Sequence, residues 1–258
     1  MENNHEPLIL ISNDDGYQFN GIKTLIAVAR HFGEVVVVAP AQHQSGMGSA
    51  ITVTRPLRAI AAHKEKGLTV YLVDGTPADC AKLALDQLLG GRKPDLVLAG
   101  INHGLNMGVC TLYSGTLGVV FEACLHGIDS VAFSYGDYSF SADMTPCVPI
   151  VEQVIGKVLA RRLPQGVCLN VNIPYNKGEI KGLKVATSCM GRWVDEFERR
   201  TDPHGIDYYW ITGEYHRDDP EDDATDMYWL DHGWVTVTPC KIDQTAHEAM
   251  AQISDLLL

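Results

Sequence analysis

Leu8-Ile9-Leu10-Ile11-Ser12-Asn13-Asp14-Asp15-Gly16 is the stretch on which the fold turns. An apolar run without polar alternation implies a strand covered on both faces, as parallel strands of α/β sheets are. The run stops at an amide, two adjacent carboxylates and a glycine. A strand end has no structural need for two neighbouring carboxylates, whose repulsion raises a pKa or weakens the fold. A bound cation removes that conflict, and open α/β sheets hold ligands just beyond the carboxyl ends of their strands. The competing reading makes one Asp the N-cap of the next helix and leaves the other in solvent.

Outward from this junction, strand candidates at 8–12, 34–39, 68–73, 95–99 and 130–134 alternate with amphipathic helix candidates at 21–31, 77–89 and 115–126. That alternation predicts an α/β fold: a doubly wound, mostly parallel sheet with helices on both faces. Residues 51–62 read as an extended excursion or hairpin between major strands. A helix over 148–162 and strands at 167–173 and 183–187 follow. From about Met190 to Trp234 the chain is rich in Trp, Tyr, Asp, Glu and Arg, which suits a protruding hairpin or oligomerisation arm. A strand at 234–238 and a short helix from about 244 close the chain. The expected organisation is a single domain over 1–258, with its core at about 8–187 and the arm at about 190–258.

Composition narrows the function. A net charge of −12 with no Lys/Arg cluster argues against a nucleic-acid polymer as the main partner, because such binding draws on phosphate neutralisation. Small phosphate compounds stay open, since a metal and aligned N–H groups reverse the field locally. The seven cysteines are scattered with no close pair, as expected of buried thiols in a reducing compartment. The polar N-terminal residues 1–7 are unlike a secretory or mitochondrial signal, and no apolar stretch approaches the roughly twenty residues of a membrane span. The expected location is the cytoplasm, without membrane attachment.

Three segments following predicted strands bring polar groups toward Asp14 and Asp15. Gln42-His43-Gln44-Ser45-Gly46-Met47-Gly48-Ser49 offers the Ser45 hydroxyl, and Gly100-Ile101-Asn102-His103-Gly104 offers the Asn102 amide oxygen. Each also has a plain structural reading, as a flexible loop or a local turn. Together Asp14, Asp15, Ser45 and Asn102 form an all-oxygen set that favours one Mg²⁺ or Mn²⁺ over zinc. His43 and His103 show no ligand spacing. The third segment, Tyr113-Ser114-Gly115-Thr116, opens a helix. Ser114 suits an N-cap, and the turn also presents N–H groups and hydroxyls to an anion, making Ser114, Gly115 and Thr116 candidate phosphate donors, with Asn102 bordering the same place. Asn13 is a candidate for orienting the catalytic groups, and either Asp could act as base or nucleophile. Walker A and G-x-G-x-x-G are both absent.

Ile11-Ser12-Asn13-Asp14-Asp15-Gly16, Ser45-Gly46-Met47-Gly48, Asp74-Gly75-Thr76-Pro77-Ala78-Asp79-Cys80, Gly100-Ile101-Asn102-His103-Gly104 and Tyr113-Ser114-Gly115-Thr116 occur in this order, followed by Asn170-Val171-Asn172-Ile173-Pro174 and Val235-Thr236-Val237-Thr238-Pro239. In combination they resemble the SurE family of metal-dependent 5′/3′-nucleotidases. The resemblance implies a Rossmann-like core and hydrolysis of nucleoside monophosphates with one divalent cation, Asp14, Asp15, Ser45 and Asn102 being its ligands. It also implies a homodimer or homotetramer built through C-terminal segments. The chain departs from the family at Val109-Cys110-Thr111, where an acidic or amide residue is common, and at the bulkier Leu117-Gly118-Val119-Val120.

Two rival readings fit less well. A phosphatase of the haloacid-dehalogenase type usually spaces its two Asp residues one apart, whereas Asp14 and Asp15 are adjacent. A receiver module needs an acceptor Asp and a Lys at later strand ends, where Ala39 and Ser134 stand.

Overall fold

The computed structural model describes residues 6–175 and 179–257; of the polar N-terminal segment, residues 1–5 lie outside them. The chain begins with β1 (Leu8–Ser12), α1 (Asn20–Ala29), β2 (Glu34–Pro40), β3 (Ala59–Glu65), β4 (Leu68–Val73) and α2 (Pro77–Leu83), the last extended by one π-helical turn over Ala84–Leu88. It continues with β5 (Leu96–His103), α3 (Gly115–Leu125), β6 (Ser130–Tyr135), α4 (Val148–Ala160), β7 (Val167–Ile173) and β8 (Leu183–Val185). Four short strands follow: β9 (Gly191–Val194), β10 (Phe197–Thr201), β11 (Asp207–Ile211) and β12 (Glu214–Arg217). Then come α5 (Asp226–Asp231), β13 (Val235–Lys241) and α6 (Met250–Leu257).

One nine-stranded sheet runs β3-β4-β2-β1-β5-β6-β7-β13-β8. Strands β4, β2, β1, β5, β6 and β7 are parallel, while β3 and β13 join antiparallel to β4 and β7. The 51–62 excursion thus ends in an edge strand whose hairpin covers β4. Strand β1 is buried along its whole length, and its side chains divide between two cores. Ile9 and Ile11 pack with Ile22, Leu25 and Ile155 on the α1/α4 face, whereas Leu8 and Leu10 pack with Cys80, Leu117 and Val120 on the α2/α3 face. Two apolar faces covered by helices are what make a continuous apolar run stable as a strand. The bulky Leu117, Val119 and Val120 of α3 are fully buried in the second core.

The structure differs from the expectation in two places that bear on the site. Strand β5 does not end at Ala99 but continues to His103 through a bulge, with Ala99 opposite Ala132 and Asn102 opposite Ser134. An extra residue bends the strand and re-aims the next side chain. Within the segment expected as an arm, β13 lies inside the main sheet, pairing with β7 from Thr236–Asn172 to Lys241–Val167. The strands outside the main sheet are β9–β12, in which β10 pairs with β11 and the flanking β9 with β12. A strand carrying Val235 and Val237 finds apolar cover only in the sheet, and both are buried there.

Candidate active site

Because β2 and β5 lie on opposite sides of β1, the strand order switches direction at β1, and a crevice opens beyond the carboxyl ends of these strands. Asp14 and Asp15 sit there, both almost fully buried. The turn that carries them is closed by Asn13, whose Nδ2 donates to the Gly16 carbonyl at 3.1 Å while its Oδ1 accepts from the Gly16 N–H at 3.2 Å. Asn13 therefore acts by shaping the turn, with its amide spent on backbone. Neither Asp caps α1: the N-cap is Phe19, with no side-chain cap bond.

Three of the four candidate ligands are held by hydrogen bonds to the surrounding structure. Asp14 Oδ1 accepts from the Thr116 hydroxyl at 2.6 Å. Asp15 Oδ2 accepts from the His103 N–H at 3.1 Å, leaving Oδ1, which lies 3.7 Å from His43 Nδ1. Asn102 Nδ2 donates to the Gly104 carbonyl at 2.7 Å, leaving its Oδ1. Ser45 is exposed on the loop after β2, which is tied to the site by the Gln44 N–H donating to the Asp14 carbonyl at 2.7 Å. Asp14, Ser45, Asn102 and Ser114 border one cavity of about 440 Å³. Among the described residues no three His, Cys, Asp or Glu side chains cluster as a metal site. The set here combines two carboxylates with two neutral oxygens, a hard-cation donor set. His103 is not a ligand candidate, since Nδ1 lies 2.7 Å from the Ser139 carbonyl and Nε2 accepts from the Gly21 N–H.

The electrostatics fit a missing positive charge. Burial, and then the neighbouring Asp15, push the Asp14 carboxyl up to about 6. Burial also raises Asp15, against the lowering effect of the His103 N–H. A raised carboxyl contributes stability fully below its unfolded value of 3.8 and loses it as pH rises through about 6, so the cation-free protein is penalised at neutral pH. A divalent cation offsets that penalty only where Asp14 is ionised. The expected result is a larger Mn²⁺-induced rise in Tm at pH 8 than at pH 5, read by thermal unfolding; equal rises at both would contradict the assignment.

The phosphate candidates are divided by the structure. Ser114 is the N-cap of α3, its hydroxyl oxygen accepting from the Leu117 N–H at 3.2 Å. Thr116 turns its hydroxyl to Asp14, which makes it a support of the carboxylate. Gly115 stands between them because a Cβ there would lie 2.9 Å from Asp14 Cβ and 2.8 Å from Pro77 Cγ. The Asp74–Cys80 motif is structural: Thr76 and Asp79 form a capping box on α2, and Asp79 also accepts from the Thr52 N–H at 2.9 Å. This fixes Pro77 against the α3 N-terminus.

Two site residues are not singled out by the sequence pattern. Asn106 borders the cavity. It is immobilised from β6 and β7: its Nδ2 donates to Ser134 Oγ at 2.8 Å, its N–H to Asn172 Oδ1 at 2.8 Å, and its carbonyl accepts from Asn170 Nδ2 at 2.7 Å. Trp193, from β9, borders the same cavity. The Asn-x-Asn on β7 is the one signal in the sequence, since two buried amides in a central strand require a partner.

The fold and site define a doubly wound α/β protein with an oxygen-donor site at its switch point, beside a helix N-terminus. The chain belongs to the SurE family: the model described as "Survival protein SurE" matches residues 9–195. A 5′-nucleotidase SurE of Cytophaga hutchinsonii is 44% identical over 250 residues, covering 96% of each chain. That of Bacteroides fragilis is 44% identical and covers 97% of each. The crystal structure of the SurE protein from Aquifex aeolicus superposes with a TM-score of 0.79 at 36% identity, covering 97% of this chain and 99% of its own.

Proposed function

We propose that this protein is a phosphomonoesterase that hydrolyses nucleoside 5′-monophosphates, using one divalent cation, Mg²⁺ or Mn²⁺, held by Asp14, Asp15, Ser45 and Asn102. The names of its relatives support the activity. The observation that carries the reading is the Thr116–Asp14 hydrogen bond of 2.6 Å, which ties the carboxylate to the start of α3 and so supports a cation and a phosphate side by side. When bound, the cation supplies Lewis-acid stabilisation of a phosphoryl oxygen and activation of water. The chain's own groups do the rest. The α3 N-terminus offers the Gly115 N–H and the Ser114 hydroxyl to phosphate oxygens, and Asn106 holds a fixed amide at the cavity wall. Asp14 and Asp15 are themselves buried, and charges held out of water interact more strongly with the groups around them.

We further propose a homodimer or homotetramer assembled through the β10–β11 hairpin, which exposes Phe197, Ile206, Tyr209, Trp210 and Ile211. A cytoplasmic location fits seven free thiols, and among the described residues no helix is long and apolar enough to cross a membrane. The test is phosphate release from a panel of 5′- and 3′-nucleoside monophosphates with Mg²⁺, Mn²⁺ or a chelator. Release that needs added cation and stops with chelator is expected; no release, or release indifferent to chelator, overturns the reading.

A further inference from the structure

Asp14, Ser45, Asn102 and Ser114 share their cavity with Cys110, Tyr113, Trp193 and Ile211. Strand β9 lies outside the main sheet, yet it brings the partly buried Trp193 to this cavity. Trp210, on β11, is by contrast 57% exposed.

We propose that Trp193 is the platform on which the base of the substrate stacks, an inference that rests on the nucleotidase reading above. The indole is fixed before any ligand arrives. Tyr215 meets it in a T-shaped contact at 5.7 Å and 74°, and the Tyr215 hydroxyl donates to the Cys189 carbonyl at 3.1 Å. Trp193 and the apolar Ile211 border the cavity together, and an indole face binds a base by stacking, which every base can offer. Glu196 and Thr212 also border the cavity. A substrate that carries a base thereby gains a contact at Trp193 that a phosphorylated sugar without a base lacks.

The experiment compares kcat/KM for AMP with that for ribose 5-phosphate in the wild type, Trp193→Ala and Trp193→Phe. In Trp193→Ala the AMP to ribose 5-phosphate ratio is expected to fall about tenfold or more, through KM for AMP, as loss of one base–aromatic stack implies. Trp193→Phe is expected to restore most of it. Should the alanine variant fail to fold, Trp193→Leu, which keeps bulk and removes the π face, provides the same comparison. An unchanged ratio, or an equal loss on both substrates, overturns the platform and leaves the nucleotidase reading standing. A wild type that releases phosphate from neither substrate with Mg²⁺ or Mn²⁺ overturns the nucleotidase reading and the platform with it.

Discussion

Asp14→Asn will abolish cation-dependent phosphate release while leaving the cation-free protein at least as stable as the wild type. The two halves of this result have one cause. Asp14 is buried, and its carboxyl is pushed up to about 6 by desolvation and by Asp15. At pH 8 the wild type thus carries an ionised group in a place that penalises charge, at a cost on the order of 3 kcal/mol. Asparagine keeps the shape, retains an oxygen for the Thr116 hydroxyl and carries no charge. Thermal unfolding in chelator at pH 8 should show Tm unchanged or raised by several degrees, since about 1 kcal/mol corresponds to roughly 2–4 °C at this size. The gain should shrink at pH 5, where the wild-type carboxyl is already protonated. Phosphate release should fall by about 10³-fold or more, as expected when charge stabilisation at a metal site is lost, and Mn²⁺ should no longer raise Tm. A variant that keeps activity, or that melts well below the wild type in chelator, would show that Asp14 serves the fold rather than the reaction.

The same residue shows why so much of the site could be read from the sequence. Asp14, Asp15 and Ser45 follow strands whose apolar pattern is local, so their approach to one sheet end follows from parallel topology, whereas Asn102 lies inside β5 and depends on the bulge that re-aims it. What escaped depends on contacts between distant segments. Thr116 looks like an anion donor because it opens a helix, and only the packing of α3 against β1, 102 residues apart, turns its hydroxyl to Asp14. Asn106 looks like a loop residue because its partners Asn170 and Asn172 lie on β7. Trp193 reads as part of an oligomerisation arm, since aromatic residues amid charges have no local pattern that distinguishes a ligand wall from a subunit contact. The position of β13 was obscured similarly: its apolar residues predict a strand, but an antiparallel insertion between β7 and β8 is settled by which edge remains open.

Gly100→Ala is expected to be among the most damaging single-atom-group additions in the chain, and the reason connects the fold to the site. Gly100 stands in the β5 bulge with φ +112°, a conformation that an L side chain rarely adopts. A Cβ there would lie 2.2 Å from the Phe133 carbonyl oxygen in β6 and 2.9 Å from the Asn102 N. Neither neighbour can swing aside, because one is backbone of a central strand and the other is the next turn of the bulge. Strain and overlap together should destabilise the protein by about 3 kcal/mol or more, lowering Tm by roughly 6–12 °C. Gly46→Ala is the matched control. Gly46 also has a positive φ, of 79°, but nothing lies within 4 Å of its Cβ position, so the conformational penalty acts alone. Its effect on Tm should be only a fraction as large. Relief of the overlap must move β5 where it delivers Asn102 opposite Ser134, so activity measured well below both melting points should fall about 10²-fold in Gly100→Ala, the scale of a roughly 1 Å misplacement. Equal Tm losses in the two variants, or a destabilised Gly100→Ala that retains full activity when folded, would separate the bulge from the placement of Asn102.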